Sequence, residues 1–184
     1  MSNRADKTGD EKNYEMTAPE KLILPLLRPE KLRAGDFLRM SGFIAVARDR
    51  TFKMFFASRR KSFPGDGAVF YCGPIVRAGK VVSAGPTTSS RMDWAVDKIL
   101  KSGVNVIIGK GALGGCGAKT LKKRGVYLEA PGGAGALLAS RVISVKTVSY
   151  EELGPQALRL FEVRGFPLIV SQDYEGRNIW GEKP

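Results

Sequence analysis

The stretch AGPTTSSRMD, residues 84–93, decides how the rest of the chain is read. Gly85-Pro86 is a turn-forming pair, and four hydroxyl residues follow it: Thr87, Thr88, Ser89 and Ser90. Val81 and Val82 ahead of the turn read as the end of a strand. Trp94, Ala95, Ile99 and Leu100 behind it fall at helical spacing. The predicted unit is therefore strand, turn and helix, with the helix starting near Arg91. Serine and threonine ahead of a helix accept hydrogen bonds from its free N–H groups. Those same N–H groups, with the helix dipole, make an anion site. A guanidinium beside it adds a planar fork that matches a carboxylate or phosphate. The pattern equally describes a plain capped helix with a solvated arginine.

Composition narrows the choices around this unit. A chain of 184 residues, 43% of them hydrophobic, can build one domain with a real core. The net charge of +12 attracts anions, whether nucleic acid, an acidic partner chain or a small dianionic substrate. There is no histidine, so the commonest general base and the commonest metal ligand are both missing. The two cysteines, Cys72 and Cys116, are far apart. They cannot supply the thiolates of an iron–sulfur cluster or a structural zinc, so this chain alone is expected to bind no metal. The N-terminus lacks a signal-peptide pattern, and no apolar run approaches the roughly 18 residues of a membrane span. A reducing, cytoplasmic setting away from any membrane is expected.

Taken in order, residues 1–19 are polar and without periodicity and read as a mobile tail; residues 20–184 form the folded domain. Residues 22–27, cut by Pro25, read as an edge strand or an extended arm. Two short strands, 37–40 and 43–47, are expected as an antiparallel pair. Thr51, Phe52, Phe55 and Phe56 predict an amphipathic helix with an aromatic inner face, closed by Arg59, Arg60 and Lys61. Strands follow at 68–72 and 80–83. Helices at 92–101 and 118–123 alternate with strands at 104–108 and 126–128. A small-residue helix ends near Ala139 and is followed by a strand at 142–148. A helix at Gly154-Pro155 and late strands at 160–163 and 168–171 complete the chain. Alternating strands and helices imply a parallel sheet with covering helices, and the more purely β first half adds a second β layer. The fold class is α/β.

Two sets of residues could carry chemistry. Gly109-x-Gly111-x-x-Gly114, with Glu129 about 20 residues on, matches a dinucleotide-binding fingerprint in outline. Lys110 inside it could instead be a point charge aimed at an anion, or an exposed loop lysine. Arg48, Arg91 and Lys110 each lie at or near a predicted strand end. Carboxyl ends of strands in α/β sheets gather in one crevice, where ligands bind. Three cations meeting there could hold both carboxylates of a small diacid. Thr87, four residues before Arg91, can share the pocket. A threonine hydroxyl is a poor base unless another group activates it, and this chain offers no histidine for that task.

The ordered set of motifs goes further. Gly35-Asp36, Arg48-Asp49, YCGP at 71–74 and AGPTTSSRMD at 84–93 are followed by IGKG at 108–111, PGGAGAL at 131–137 and FEVRGFPLIVSQDYEG at 161–176. Together they resemble the β subunit of class I, iron–sulfur-dependent fumarate hydratase, a family that includes the tartrate dehydratase β chain. The resemblance implies a single swivelling β/β/α domain that supplies one half of an active site. A separate α subunit would carry a four-iron, four-sulfur cluster whose open iron acts as a Lewis acid. It implies that Arg48, Arg91 and Lys110 bind the dicarboxylate. It also implies that Thr87 takes or relays the C3 proton, helped by a carboxylate of the α subunit. The implied reaction is reversible hydration of fumarate to (S)-malate, with dehydration of tartrate or a related hydroxy-diacid as the alternative. The implied assembly is a homodimer or a heterotetramer of two αβ pairs. The chain departs from the family's RDxxHK pattern, because Phe52 stands at the histidine position. Two readings of other classes compete: a nicotinamide-dinucleotide-binding module and a nucleic-acid-binding module. The second is disfavoured by basic residues that are scattered rather than interleaved with aromatics.

Overall fold

The computed structural model describes residues 19–58 and 60–181. The expected tail at 1–19 therefore lies outside the described residues except for Pro19, and so does Arg59.

Nine strands form. In chain order they are β1 (Glu20–Ile23), β2 (Phe37–Ala47), β3 (Ala68–Tyr71), β4 (Ile75–Arg77), β5 (Lys80–Ser83), β6 (Val106–Gly109), β7 (Val126–Glu129), β8 (Val142–Ser149) and β9 (Leu158–Gln172). The helices are α1 (Asp49–Ala57), α2 (Val96–Lys101), α3 (Gly115–Leu121) and α4 (Gly135–Ala139), with 3-10 turns at Ser89–Ala95 and Glu151–Gln156. Seven strands make one mixed sheet in the order β1-β2-β3-β6-β7-β9-β8, and β4-β5 is a separate hairpin. The α/β class holds, with the hairpin as the second β layer.

The sheet closes on itself. β1, β2, β3, β6 and β7 run parallel. β9 runs antiparallel to β7 and also to β2, which joins the two sides of the sheet into a five-stranded ring. Strand periodicity sorts the side chains. Ile44, Val46, Phe70, Val106, Ile108, Leu128 and Phe161 fill the interior cluster. Their neighbours Ala45, Ala47, Val69, Tyr71, Ile107 and Tyr127 face outward, under Phe52, Phe55, Met92, Val96, Ile99 and Leu121 of the helical layer.

Closure explains the largest departures from the sequence reading. The two strands expected at 37–40 and 43–47 are one strand, β2, and do not pair with each other. Gly42 lies between them at φ +135°, and the pairing with β9 shifts register there. A Cβ on Gly42 would come within 2.7 Å of the Leu24 Cβ, so glycine lets β2 bend past its neighbour. The strands expected at 160–163 and 168–171 likewise form the single strand β9. Gly165, at φ +61° and opposite the register shift at Met40 and Gly42, bends β9 without ending it. β1 occupies 20–23 rather than 22–27, and the β4 strand was not foreseen. Both helices of the second half begin before their expected starts, the first as the 3-10 turn Ser89–Ala95 and the second at Gly115. The helix expected at Gly154-Pro155 is a 3-10 turn, kinked at Gly154.

Candidate active site

β2, β3, β6 and β7 end at one rim of the ring. Register aligns Ala47 with Tyr71, Phe70 with Ile108, and Gly109 with Glu129. Arg48 and Lys110 are the first residues past the ends of β2 and β6, so the backbone brings both to this rim. The strand ends of β3 and β6 are spread by residues 86–88, which wedge between them. Pro86 bridges to Cys72 and Thr88 bridges to Lys110. The Thr87 N–H donates to the Tyr71 carbonyl at 2.7 Å, and the Ser89 N–H donates to the Lys110 carbonyl at 3.0 Å. Thr87 thus sits between Arg48 and Lys110. Two to three strand spacings, roughly 10–14 Å, separate the Cα positions of those two cations. Arg91 is exposed on the 3-10 turn that continues from the wedge.

Glycines set the paths of the cationic side chains. A Cβ on Gly73 would meet the Arg48 Cδ at 3.1 Å and Nη1 at 3.2 Å. The Arg48 stem therefore lies flat over Gly73, and a larger residue would lift it. Arg48 Nε is buried with no hydrogen-bond partner among the described residues. Its nearest carboxylate, Asp49, is 3.6 Å away. The Lys110 stem crosses Gly132, where a Cβ would lie 3.3 Å from Cδ.

The hydroxyl cluster does different work from that expected. The 3-10 turn has no side-chain cap. Ser89 is instead buried and ties two strands together. Its Oγ accepts from the Lys110 N–H at 3.2 Å and donates its own proton to the Tyr127 hydroxyl at 2.8 Å. Tyr127 also reaches the Gly111 carbonyl at 2.6 Å. Gly109 is required here, since a Cβ would overlap Ser89 Oγ.

Three further residues were missed by sequence reasoning. Asp93 accepts from the N–H groups of Gly114 at 2.8 Å and Gly117 at 3.2 Å, which fills the N-terminus of α3. In a dinucleotide fold that place belongs to the pyrophosphate, so the Gly109–Gly114 fingerprint is structurally closed. Its signal was an acid beside Met92 that the helix pattern did not use. Asp93→Ala removes both acceptors and should cost about 0.5–2 kcal/mol, read as a fall of a few degrees in calorimetric Tm. Tyr127 was read only as part of a strand. Arg159 on β9 lies opposite Val46. Its guanidinium donates to the carbonyls of Gly154 at 2.8 Å and Pro155 at 3.2 Å. A charged residue inside the apolar run LRLFEV was the available clue.

Phe52 is fully buried among Phe56, Phe63 and Tyr71, with ring centroids 5.5–6.0 Å apart. Its side chain belongs to the helical layer, away from the rim.

The cysteines do not suit a cluster. Cys72 is buried, and burial pushes its thiol up to about 12 against the opposing pull of Arg48 and Arg159. Cys116 is exposed on α3. Burial also raises the Tyr71 and Tyr127 hydroxyls. In the unfolded chain these groups release their protons more readily. Their contribution to stability is therefore intact below about pH 9 and declines as the pH rises toward 12. The urea midpoint should be lower at pH 10.5 than at pH 8; an unchanged midpoint would contradict it.

This fold and its ordered motifs define a fumarase-type domain. Residues 6–183 match the family described as Fumarase C-terminus, and the chain belongs to that family. It is 34% identical over 164 residues to the L(+)-tartrate dehydratase subunit beta of Escherichia coli, covering 83% of this chain and 81% of that one. A Methanocaldococcus jannaschii protein provisionally named L(+)-tartrate dehydratase subunit beta is 36% identical over 167 residues, covering 83% and 86%. A Geobacillus stearothermophilus protein provisionally named fumarate hydratase class I is 29% identical over 188 residues. That match spans 95% of this chain and 37% of the longer relative.

Proposed function

We propose that the chain is the β subunit of a hydro-lyase that interconverts fumarate and (S)-malate together with a cluster-bearing α subunit. The observation that carries this reading is the rim, where Arg48 and Lys110 flank the wedge holding Thr87, and Arg91 follows on the adjoining turn. Arg48 offers a guanidinium whose stem is fixed over Gly73, which suits one carboxylate as a planar fork. Lys110 and Arg91 serve the second carboxylate. Holding both ends of a four-carbon diacid places its central carbons over the wedge. There the Thr87 hydroxyl takes or returns the C3 proton, with a base supplied by the α subunit, because this chain has no histidine. The donor set of this chain does not fit an iron–sulfur cluster, so the Lewis acid is assigned to the α subunit.

Tartrate dehydration is the second reading. It is favoured by the two relatives whose own lengths the chain mostly covers, both of which carry that name. Anoxic reconstitution with the α subunit separates the two: absorbance of fumarate follows the first reaction, and oxaloacetate release from L(+)-tartrate follows the second. Turnover of neither substrate, or full activity of α alone, would refute the division of labour. Thr87→Val should lower kcat by about 10²–10⁴-fold with KM little changed, the loss typical of a proton-transfer group.

A further inference from the structure

A cavity of about 420 Å³ lies behind the loop that carries Lys110, between α3 and the C-terminal segment. It touches the glycine-rich region that Asp93 closes to phosphate, through Ala112, Leu113 and Gly115. Leu113 and Ala118 contribute apolar lining, and Trp180 forms one wall. Trp180 is held in place. Its indole N–H donates to Glu129 Oε1 at 2.8 Å and to Ser171 Oγ at 3.1 Å, and its backbone N–H donates to Asn178 Oδ1 at 3.0 Å. The residue nonetheless stays 50% exposed, which leaves ring surface free for contact.

The charged residues lining the cavity, among those described, are both lysines, Lys119 and Lys122, with no aspartate or glutamate. Glu129 reaches it only through its bonds to Trp180 and Ser171. Three positions apart, the two lysines share one side of α3 and the turn that ends it. Neither takes part in an ion pair among the described residues. Lys122 is guided along Gly176, where a Cβ would lie 3.0 Å from its Cδ. The amide of Gln172 is already committed to the Ala118 carbonyl at 2.8 Å, and the Tyr127 hydroxyl to Gly111 and Ser89. What remains for a ligand is an aromatic face, apolar lining and two uncommitted ammonium groups.

We propose that this cavity is a second small-molecule site, built for a planar aromatic anion. The ring packs against Trp180, and the acid group lies between Lys119 and Lys122. Because Ala112 and Leu113 follow directly on Lys110 and Gly111, the occupant also bears on the loop that sets the Lys110 backbone at the rim.

The test uses the purified full chain and the fluorescent aromatic sulfonate 8-anilinonaphthalene-1-sulfonate. One saturable site is expected. Its affinity should fall about tenfold in Lys119→Gln/Lys122→Gln and again about tenfold in Trp180→Leu. Trp94→Leu, which alters another exposed tryptophan outside the cavity, should bind as the parent does. Thermal melting of each variant confirms that the fold is kept; all three positions are exposed. Unchanged affinity in either cavity variant, or an equal loss in Trp94→Leu, overturns the assignment. The readout needs no α subunit and no turnover, so its failure is separate from a failure of the hydro-lyase reading.

Discussion

Arg48→Ala is expected to lower kcat/KM of the reconstituted enzyme by roughly 30–5,000-fold, the equivalent of about 2–5 kcal/mol for truncating one partner of a desolvated charge pair. The magnitude rests on placement. Arg48 is the first residue past β2, its stem is laid over Gly73, and its Nε makes no hydrogen bond, with Asp49 3.6 Å away. Arg159 lies nearby on β9 and holds the turn at Gly154 and Pro155. A second guanidinium on that side disfavours retreat of Arg48 into the fold and keeps its charge available to an anion. Arg48→Lys should recover only part of the loss, because an ammonium cannot present two parallel N–H groups. Steady-state kinetics on both variants decides the matter, and near-parental kcat/KM in Arg48→Ala would remove the residue from the site.

Phe52→Ala is expected to destabilise the chain by about 3–5 kcal/mol, the usual cost of deleting a buried phenylalanine, or a Tm fall of roughly 6–20 °C for a domain of this size. Phe52 has no solvent exposure and meets three other aromatic rings. Its N–H also donates to the Arg48 carbonyl at 2.9 Å, closing the first turn of α1. Loosening α1 therefore reaches Arg48 through the backbone, and activity should fall with stability. A variant that melts within about 2 °C of the parent would contradict the packing described.

The α/β class was legible from the alternation of strands and helices in the second half, where the runs 104–108 and 126–128 end at Gly109 and Glu129. The aromatic inner face of α1 was legible because Phe52 and Phe55 fall on one side of a 3.6-residue period. Ring closure was not, since it depends on β2 meeting β9 more than 100 residues away. Local patterns at Gly42 and Gly165 look like turns, and only the distant partner makes them points where one strand bends. At the rim, the residue types and their approach to strand ends could be read from motif spacing. The wedge could not: four consecutive hydroxyls look like a helix cap, and only the ladder ends of β3 and β6 reveal that Ser89 is a strut. Asp93 and Arg159 stayed hidden for the same reason, because their partners are set by tertiary contact alone.

Ring closure through β9 also bears on biosynthesis. β2 emerges early, yet its antiparallel neighbour β9 begins only at Leu158. Until β9 leaves the ribosome, β2 presents an unfilled edge along which Phe43 and Ile44 can recruit the wrong strand. Premature termination before Leu158 would thus yield an open, self-associating sheet instead of a smaller working domain.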